Sequence, residues 1–475
     1  MSALGSGPDL LVEGATVLVV GGLGAAWGGG ALLRSAGRRR SAPGWAVATV
    51  VLGTASWLGP QLGPRTFTQD GAVTAVSAGV ELAARLAAFA AVGTALLTLA
   101  AARSQRDGDA RASRPVAFGV LGVYAMGLAK TLGGLFVVGS PVTDLHPLYF
   151  ALMLHAVARG AGVARGPVLG VSRGVARSVT VGSLALAVAA PSWAYMPDTA
   201  RFFGVDRLAG LTPHPNTLAV IAGAALVLEW LPPVGRGRWV GTAAALAALA
   251  ASQSTTGVVV GAVIALALLF GNHPRHRLAL LAGTTFVVVV TALGSDVVAW
   301  VLGGVGADRL DTVSGRTIIW SYAWAAFRAH PLLGMGSQFL SDAYRANYLP
   351  AVEQQAVHAH NQVLQTLGES GLVGAAGLAM LLAALGYAAW VSRRRDGWSR
   401  LTGLVWLVGF GVTEVPLRAV GVSGLAALLV VPVLLVPDRG AREESATPPA
   451  GASRPAGRAP TAPSGRRADD AVPVA

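Results

Sequence analysis

The chain has no cysteine. Disulfides and thiolate chemistry are therefore excluded. Charge is the second scarcity. Asp, Glu, Lys and Arg make up 12% of the residues, where a soluble globular protein carries roughly a quarter. Acidic residues are the scarcer sign, 23 against 36 basic ones, and the formal net charge is +13. The N-terminus, MSALGSGPDL, lacks a basic n-region and does not read as a cleavable signal peptide. The basic excess does not point to nucleic acid, because it sits in short loops between apolar runs, where membrane topology explains it.

What is abundant is apolar. The chain is 53% hydrophobic, with a mean hydropathy of +0.58. Runs of about 20 apolar residues alternate with Arg-rich loops, the pattern of an all-α polytopic membrane protein. Spans are expected at about 11–33, 43–60, 72–102, 115–138, 147–158, 178–196, 216–233, 239–251, 256–271, 278–302, 361–391, 401–415 and 421–437. That is about 12–13 transmembrane helices, counted by length and hydropathy. The Arg-rich loops at 34–41, 103–114, 159–177, 235–238, 272–277 and 393–400 all fall on one side. The positive-inside rule makes that side cytoplasmic, and puts the loops at 61–70, 139–146, 197–215, 252–255, 303–360 and 416–420 outside. The expected organisation is N-terminal spans over 1–196, a second transmembrane region over 197–437 with its outer loop at 303–360, and a disordered cytoplasmic tail over 438–475. The Pro, Ala, Gly, Ser and Arg content of that tail supports the last assignment.

Charges inside apolar spans cost about 2.5–3.5 kcal/mol each at a span centre, so each asks for a role or a partner. Glu81 and Arg85 are one turn apart and can pair. Lys130 reads either as one half of a structural pair or as functional. Glu414 reads as a local pair with Arg418, four residues on and across Pro416, with a catalytic role as the alternative. Glu229 lies near a span end, where a charge is cheap, and is given no role.

The outer loops hold the chemistry. Arg201 and Arg207 break the charge bias of an outer loop that runs into His214-Pro215-Asn216, which suggests an anionic ligand. In the 303–360 segment Ser314 can cap a helix starting near Arg316. Trp320, Trp324 and Phe327 recur at helical spacing and suit an interfacial helix. A guanidinium in the first turn of such a helix is a phosphate site in the making. His358 and His360 sit where the chain re-enters the membrane, placed for a general base or phosphate partner. No third metal ligand is evident near them, so no metal is expected.

Ordered motifs add to this. His360-Asn361 followed by Gly371-x-x-Gly374, Arg207-x-x-x-Leu211, the Gly210–Ala219 segment around Pro215-Asn216, Ser314-Gly315-Arg316 with Trp320, and Pro331 with Gly334 and Gly336 occur in order. Together they resemble the O-antigen ligase and polysaccharide polymerase superfamily over about 207–390. The resemblance implies a metal-independent membrane glycosyltransferase of GT-C-like architecture, with its site on the outer face of the cell membrane and no cofactor. It implies a donor glycan on undecaprenyl diphosphate, and an acceptor glycan or lipid. Arg207 and Arg316 would bind the donor diphosphate and His360 would act at the acceptor or the phosphate. Asn216, His214, His358, Asn361, Trp320 and Arg201 would complete substrate binding. The family often has Arg after the serines between two short spans; here the segment is Ser252-Gln253-Ser254-Thr255-Thr256, which leaves a donor contact there unsupported. Ligase and polymerase share these motifs. A transporter would explain the many spans and Lys130, but should concentrate polar groups and broken helices at the midplane. A non-catalytic scaffold for envelope assembly is a third reading.

Overall fold

The computed structural model describes residues 42–103, 114–137, 144–270, 310–349, 357–394, 399–419 and 422–436, save positions 64, 69, 70, 75, 198, 200–203 and 236 within them. The expected spans at 11–33 and 278–302, the tail from 438, and Arg201 lie outside the described residues.

Helices dominate, as the hydropathy requires. In chain order they are α1 Ala42–Leu58, α2 Ala78–Arg103, α3 Arg114–Leu132, α4 His146–Val163, α5 Arg165–Ala189, α6 Pro215–Trp230, α7 Arg238–Ser252, α8 Thr255–Phe270, α9 Leu310–Ala329, α10 Asp342–Tyr348, α11 Gln362–Ser392, α12 Ser399–Thr413 and α13 Ser423–Leu435. Three stretches, Ala78–Arg103, Arg114–Val137 and Gln362–Ser392, are long and apolar enough to cross a membrane among the described residues. Two small antiparallel pairs were not expected: β1 Arg65–Thr68 with β2 Gly71–Thr74, and β3 Tyr195–Met196 with β4 Arg207–Leu208.

Burial separates the helices by role. Nearly every residue of α6 and α13 is buried, so these form the centre. On α2, by contrast, Leu82, Leu86, Phe89, Leu96 and Leu97 are exposed. An apolar face of that length is a liability in water and ordinary against lipid. Glu81 and Arg85 pair on the exposed side of α2, as their spacing predicts.

Small residues set the closest approach. A Cβ on Gly122 of α3 would lie 2.4 Å from the Gly377 carbonyl oxygen of α11, and a Cβ on Gly377 would lie 2.4 Å from the Gly122 carbonyl oxygen. Each glycine admits the other's backbone, the device that packs helices where lipid offers no hydrophobic drive.

The loop expected at 159–177 is mostly helix, since α4 and α5 are separated only by Ala164. Its arginines are used internally. Arg173 donates through Nε to the Leu228 carbonyl (2.7 Å), through Nη1 to Pro233 (2.8 Å), and through Nη2 to Leu231. Leu228 is in the last turn of α6, and Leu231 and Pro233 follow it, so one guanidinium ties down the end of the helix and the segment after it. Arg177 grips the Glu229 carboxylate with two nitrogens. Glu229, given no role above, is 1% exposed and half of a buried ion pair.

Lys130 finds its partner in Glu369 of α11, 2.6 Å away. Removing one member of a buried pair strands the other, at about 3–5 kcal/mol, whereas removing both is far cheaper. Glu369→Gln and Lys130→Met should therefore each lower the thermal unfolding midpoint in detergent, and the double variant should recover most of the loss. Additive losses in the double variant would show that the two do not act as a pair.

Helix α11 is broken. Gly371 has φ 57° and ψ −153°, a conformation open essentially to glycine alone. The loop after α9 fills the break. Leu372 N donates to the Pro331 carbonyl (2.8 Å), Val373 N to Leu332 (3.2 Å), and Met335 N to the Gly368 carbonyl (2.8 Å). Backbone groups freed by the break are thus satisfied by protein, the condition for irregular backbone at membrane depth. A turn runs from Pro331 to Met335, and the glycines of α11 make specific close approaches. Gly368 faces the Phe339 ring, while Gly371 faces the backbone of Leu332.

Candidate active site

The site is built around His358-Ala359-His360. Four contacts fix this tripeptide. Trp320 Nε1 of α9 donates to the Ala359 carbonyl at 2.8 Å. The Ala359 N–H donates to Gln365 Oε1 at 2.7 Å. Asn361 caps α11 by accepting from Leu364 N at 3.0 Å, and its Nδ2 donates to the Val412 carbonyl at 3.0 Å. The His360 N–H donates to His358 Nδ1 at 3.2 Å. Gln365 continues to Glu369 Oε1 (2.7 Å), which also accepts from Lys130. The odd lysine of α3 is therefore tied, through two side chains, to the backbone of the histidine segment. His360 itself has φ 48°, in the left-handed region, a strain that this scaffold sustains.

Glu414 faces the histidines. It follows α12 directly, is 7% exposed, and has Oε2 3.8 Å from His360 Nδ1 and 4.0 Å from His358 Nε2. It does not pair with Arg418, contrary to the spacing argument; Pro416 lies between them and α12 ends at Thr413. Its other oxygen accepts from Asn216 Nδ2 at 2.7 Å. Asn216 Oδ1 in turn accepts from Arg207 at 2.5 Å, and Arg207 Nε donates to the Ser252 carbonyl at 3.0 Å. Arg207 is 3% exposed. It stands behind Asn216 and orients the amide that holds Glu414. Ser252, the first residue of the segment that departs from the family pattern, supplies the carbonyl for this support.

At 3.8 Å His360 Nδ1 is beyond hydrogen-bond length, and it is a buried nitrogen without a hydrogen-bond partner. Catalytic contacts are often long without substrate and tighten with it. His358 is held well below the usual histidine range, first by burial and then by the positive charges of His360, Arg418, His214 and Arg316. It is neutral at physiological pH. Because the unfolded chain takes up that proton near pH 6.5 and the folded one does not, this residue contributes a loss of stability as pH falls below about 6.5.

The expected metal ligands were too few; the structure supplies a third in Glu414, and the three ligand atoms lie within 4.8 Å of one another. The tautomer argues against their use for metal. His358 Nδ1 accepts a backbone N–H, so the neutral ring, assigned from that hydrogen bond, carries its proton on Nε2, the nitrogen turned toward Glu414. A metal would have to displace that proton before this nitrogen could serve as a ligand.

Arg316 sits within α9, which begins at Leu310, so Ser314 is not its cap and Arg316 is not in its first turn. The helix-terminus argument for phosphate binding therefore does not apply. Its guanidinium nonetheless makes no hydrogen bond among the described residues, and its charge reaches both His358 and Glu414. His214 caps α6, accepting from Asn216 N at 3.1 Å. Asn361 and Trp320 reach the site as structural anchors of the histidine segment. Glu414, Gln365 and Glu369 were missed as site residues. Glu414 alone carried a signal, as a carboxylate at the end of an apolar run.

With this geometry in hand, comparison with known proteins is informative. Residues 240–379 match the family model described as O-antigen ligase. Over this segment the chain is similar to that family. The segment holds Arg316, Trp320, His358, His360 and Glu369, while Arg207, Asn216 and Glu414 lie outside it. The exopolysaccharide production protein ExoQ of Rhizobium meliloti (strain 1021) is 31% identical over 166 residues, covering 31% of this chain and 38% of that relative.

Proposed function

We propose that the chain is a multi-pass membrane glycosyltransferase of the ligase or polymerase type, in cell-surface polysaccharide biosynthesis. Its GT-C-like site opens on the extracytoplasmic face, and it moves a glycan from undecaprenyl diphosphate to an acceptor sugar. The observation that carries this reading is the buried His360 Nδ1, without a hydrogen-bond partner among the described residues and 3.8 Å from Glu414 Oε2, with the Arg316 guanidinium, which makes no hydrogen bond among the described residues, close enough for its charge to act on His358. His360 takes the proton of the acceptor hydroxyl, and Glu414 stabilises the imidazolium that forms. The hydroxyl oxygen bonds to the anomeric carbon as the bond from that carbon to the diphosphate oxygen breaks. Arg316 holds the charge that gathers on the leaving diphosphate. His358 and His214 border the donor side. Arg207 acts through Asn216. The reaction runs without metal on this reading, because each of its charges has a protein partner.

The test is reconstitution in lipid with an undecaprenyl-diphosphate glycan, following release of undecaprenyl diphosphate and the attachment point of the sugar. Attachment to a second lipid-linked glycan marks a polymerase, and attachment to a different anchor marks a ligase. Arg316→Lys should lower turnover at least about tenfold, since a point charge cannot reproduce the bidentate contact. Wild-type turnover by that variant would remove the phosphate role.

A further inference from the structure

A pocket lies among α3, α4, α11 and the 415–419 segment. Val415 is the partition: it lines this pocket and also the smaller one that His358 and Glu414 border. One wall is apolar, formed by Val123, Met126 and Phe150 among others. Three charges line the pocket as well, Lys130, Glu369 and Arg418. Two of them cancel, Lys130 against Glu369 at 2.6 Å. The third has no counterpart.

Arg418 donates its backbone N–H to the Val415 carbonyl at 3.1 Å. Its guanidinium makes no hydrogen bond and no ion pair among the described residues. The carboxylate that acts on it is Glu369, whose Oε1 already accepts from Lys130 and Gln365. Arg345 adds a second positive charge to the neighbourhood. Arg418 is partly buried, and that burial lowers it below its ordinary value. A desolvated guanidinium with five donors and no acceptor is expensive to maintain unless a ligand completes it. The ligand that matches a planar fork of donors is an oxyanion.

We propose that this cavity is a second anion-binding site, in which Arg418 takes the carboxylate or phosphate oxygens of a sugar-bearing substrate while the Phe150 wall receives the apolar face of the ring. The choice of ligand rests on the glycan-transfer reading, but the site itself is tested by binding and not by turnover.

Purified full-length protein in lipid nanodiscs is titrated with two probes, a short uronic-acid oligosaccharide and inorganic diphosphate, with the neutral oligosaccharide as reference. Wild-type protein is expected to prefer the anionic probe, and Arg418→Gln to bind it at least about tenfold more weakly. A loss confined to the uronate assigns the site to acidic sugars. A loss confined to diphosphate assigns it to the lipid-linked phosphate. Arg418→Lys keeps the charge and should retain partial affinity, which provides the same comparison if the glutamine variant fails to fold. Affinities unchanged in both folded variants, or wild-type protein that binds neither anionic probe, overturn the proposal. Failure of glycan transfer with this binding intact would instead overturn the reaction.

Discussion

His360→Ala is expected to lower glycan transfer by about 10²–10⁴, the contribution of a positioned general base, while the protein inserts and folds normally. His360 makes no side-chain hydrogen bond through Nδ1, so truncating it breaks no structural contact at that atom. Its backbone is held independently, by the N–H donated to His358. Glu414→Gln should follow the same direction with a smaller loss, about 10–10²-fold. The amide keeps the volume and can still meet Asn216, but it removes the negative charge that favours an imidazolium at 3.8 Å. The double variant should be scarcely worse than His360→Ala alone, because Glu414 acts through the imidazole. The measurement is release of undecaprenyl diphosphate in lipid, with thermal unfolding as the control for folding. Normal polymer from His360→Ala would end the catalytic assignment, and multiplicative losses in the double variant would separate Glu414 from the histidine.

The helical class was legible because period and hydropathy act locally. Apolar runs predicted α3, α11 and α12 within a few residues, and Asn361 marks a helix start on the residue type alone. The candidate site was legible only in part. His358, His360, Arg316 and Arg207 stood out as polar residues in an apolar chain, but spacing could not tell which would meet a ligand. Arg207 lies behind Asn216 because a pair of two-residue strands, Tyr195–Met196 with Arg207–Leu208, fixes it there, and strands that short leave no periodic signal. Glu414 was assigned to Arg418 because i, i+4 spacing is a helical rule, and the helix stops one residue before it. Its true neighbours, His360 and Asn216, are 54 and 198 positions away in sequence. Such contacts are decided by tertiary packing, as is the Lys130–Glu369 pair, which joins residues 239 positions apart.

The same packing makes Gly371→Ala a strongly damaging substitution on the scaffold. Two independent penalties coincide there. The backbone occupies a region that an L side chain pays about 1–3 kcal/mol to enter, and the added Cβ would stand 2.4 Å from the Leu332 carbonyl carbon and oxygen. Neither neighbour is a flexible side-chain end, so the loop Pro331–Met335 must move. That loop satisfies the backbone on both sides of the break through Leu372, Val373 and Met335, and it follows α9, which carries Arg316. A total loss of about 3 kcal/mol or more is expected, with transfer activity falling alongside it as α9 shifts. Gly386→Ala on the same helix is the control. Its Cβ would meet only Leu404 Cδ2, at 3.9 Å, and alanine is the better helix former by roughly 0.5–1 kcal/mol. Thermal unfolding in detergent should separate the two variants in opposite directions from wild type. Equal stability would mean that the break in α11 is not held by the Pro331 loop. Its backbone groups would then be free to face a ligand, which is the arrangement a transporter requires.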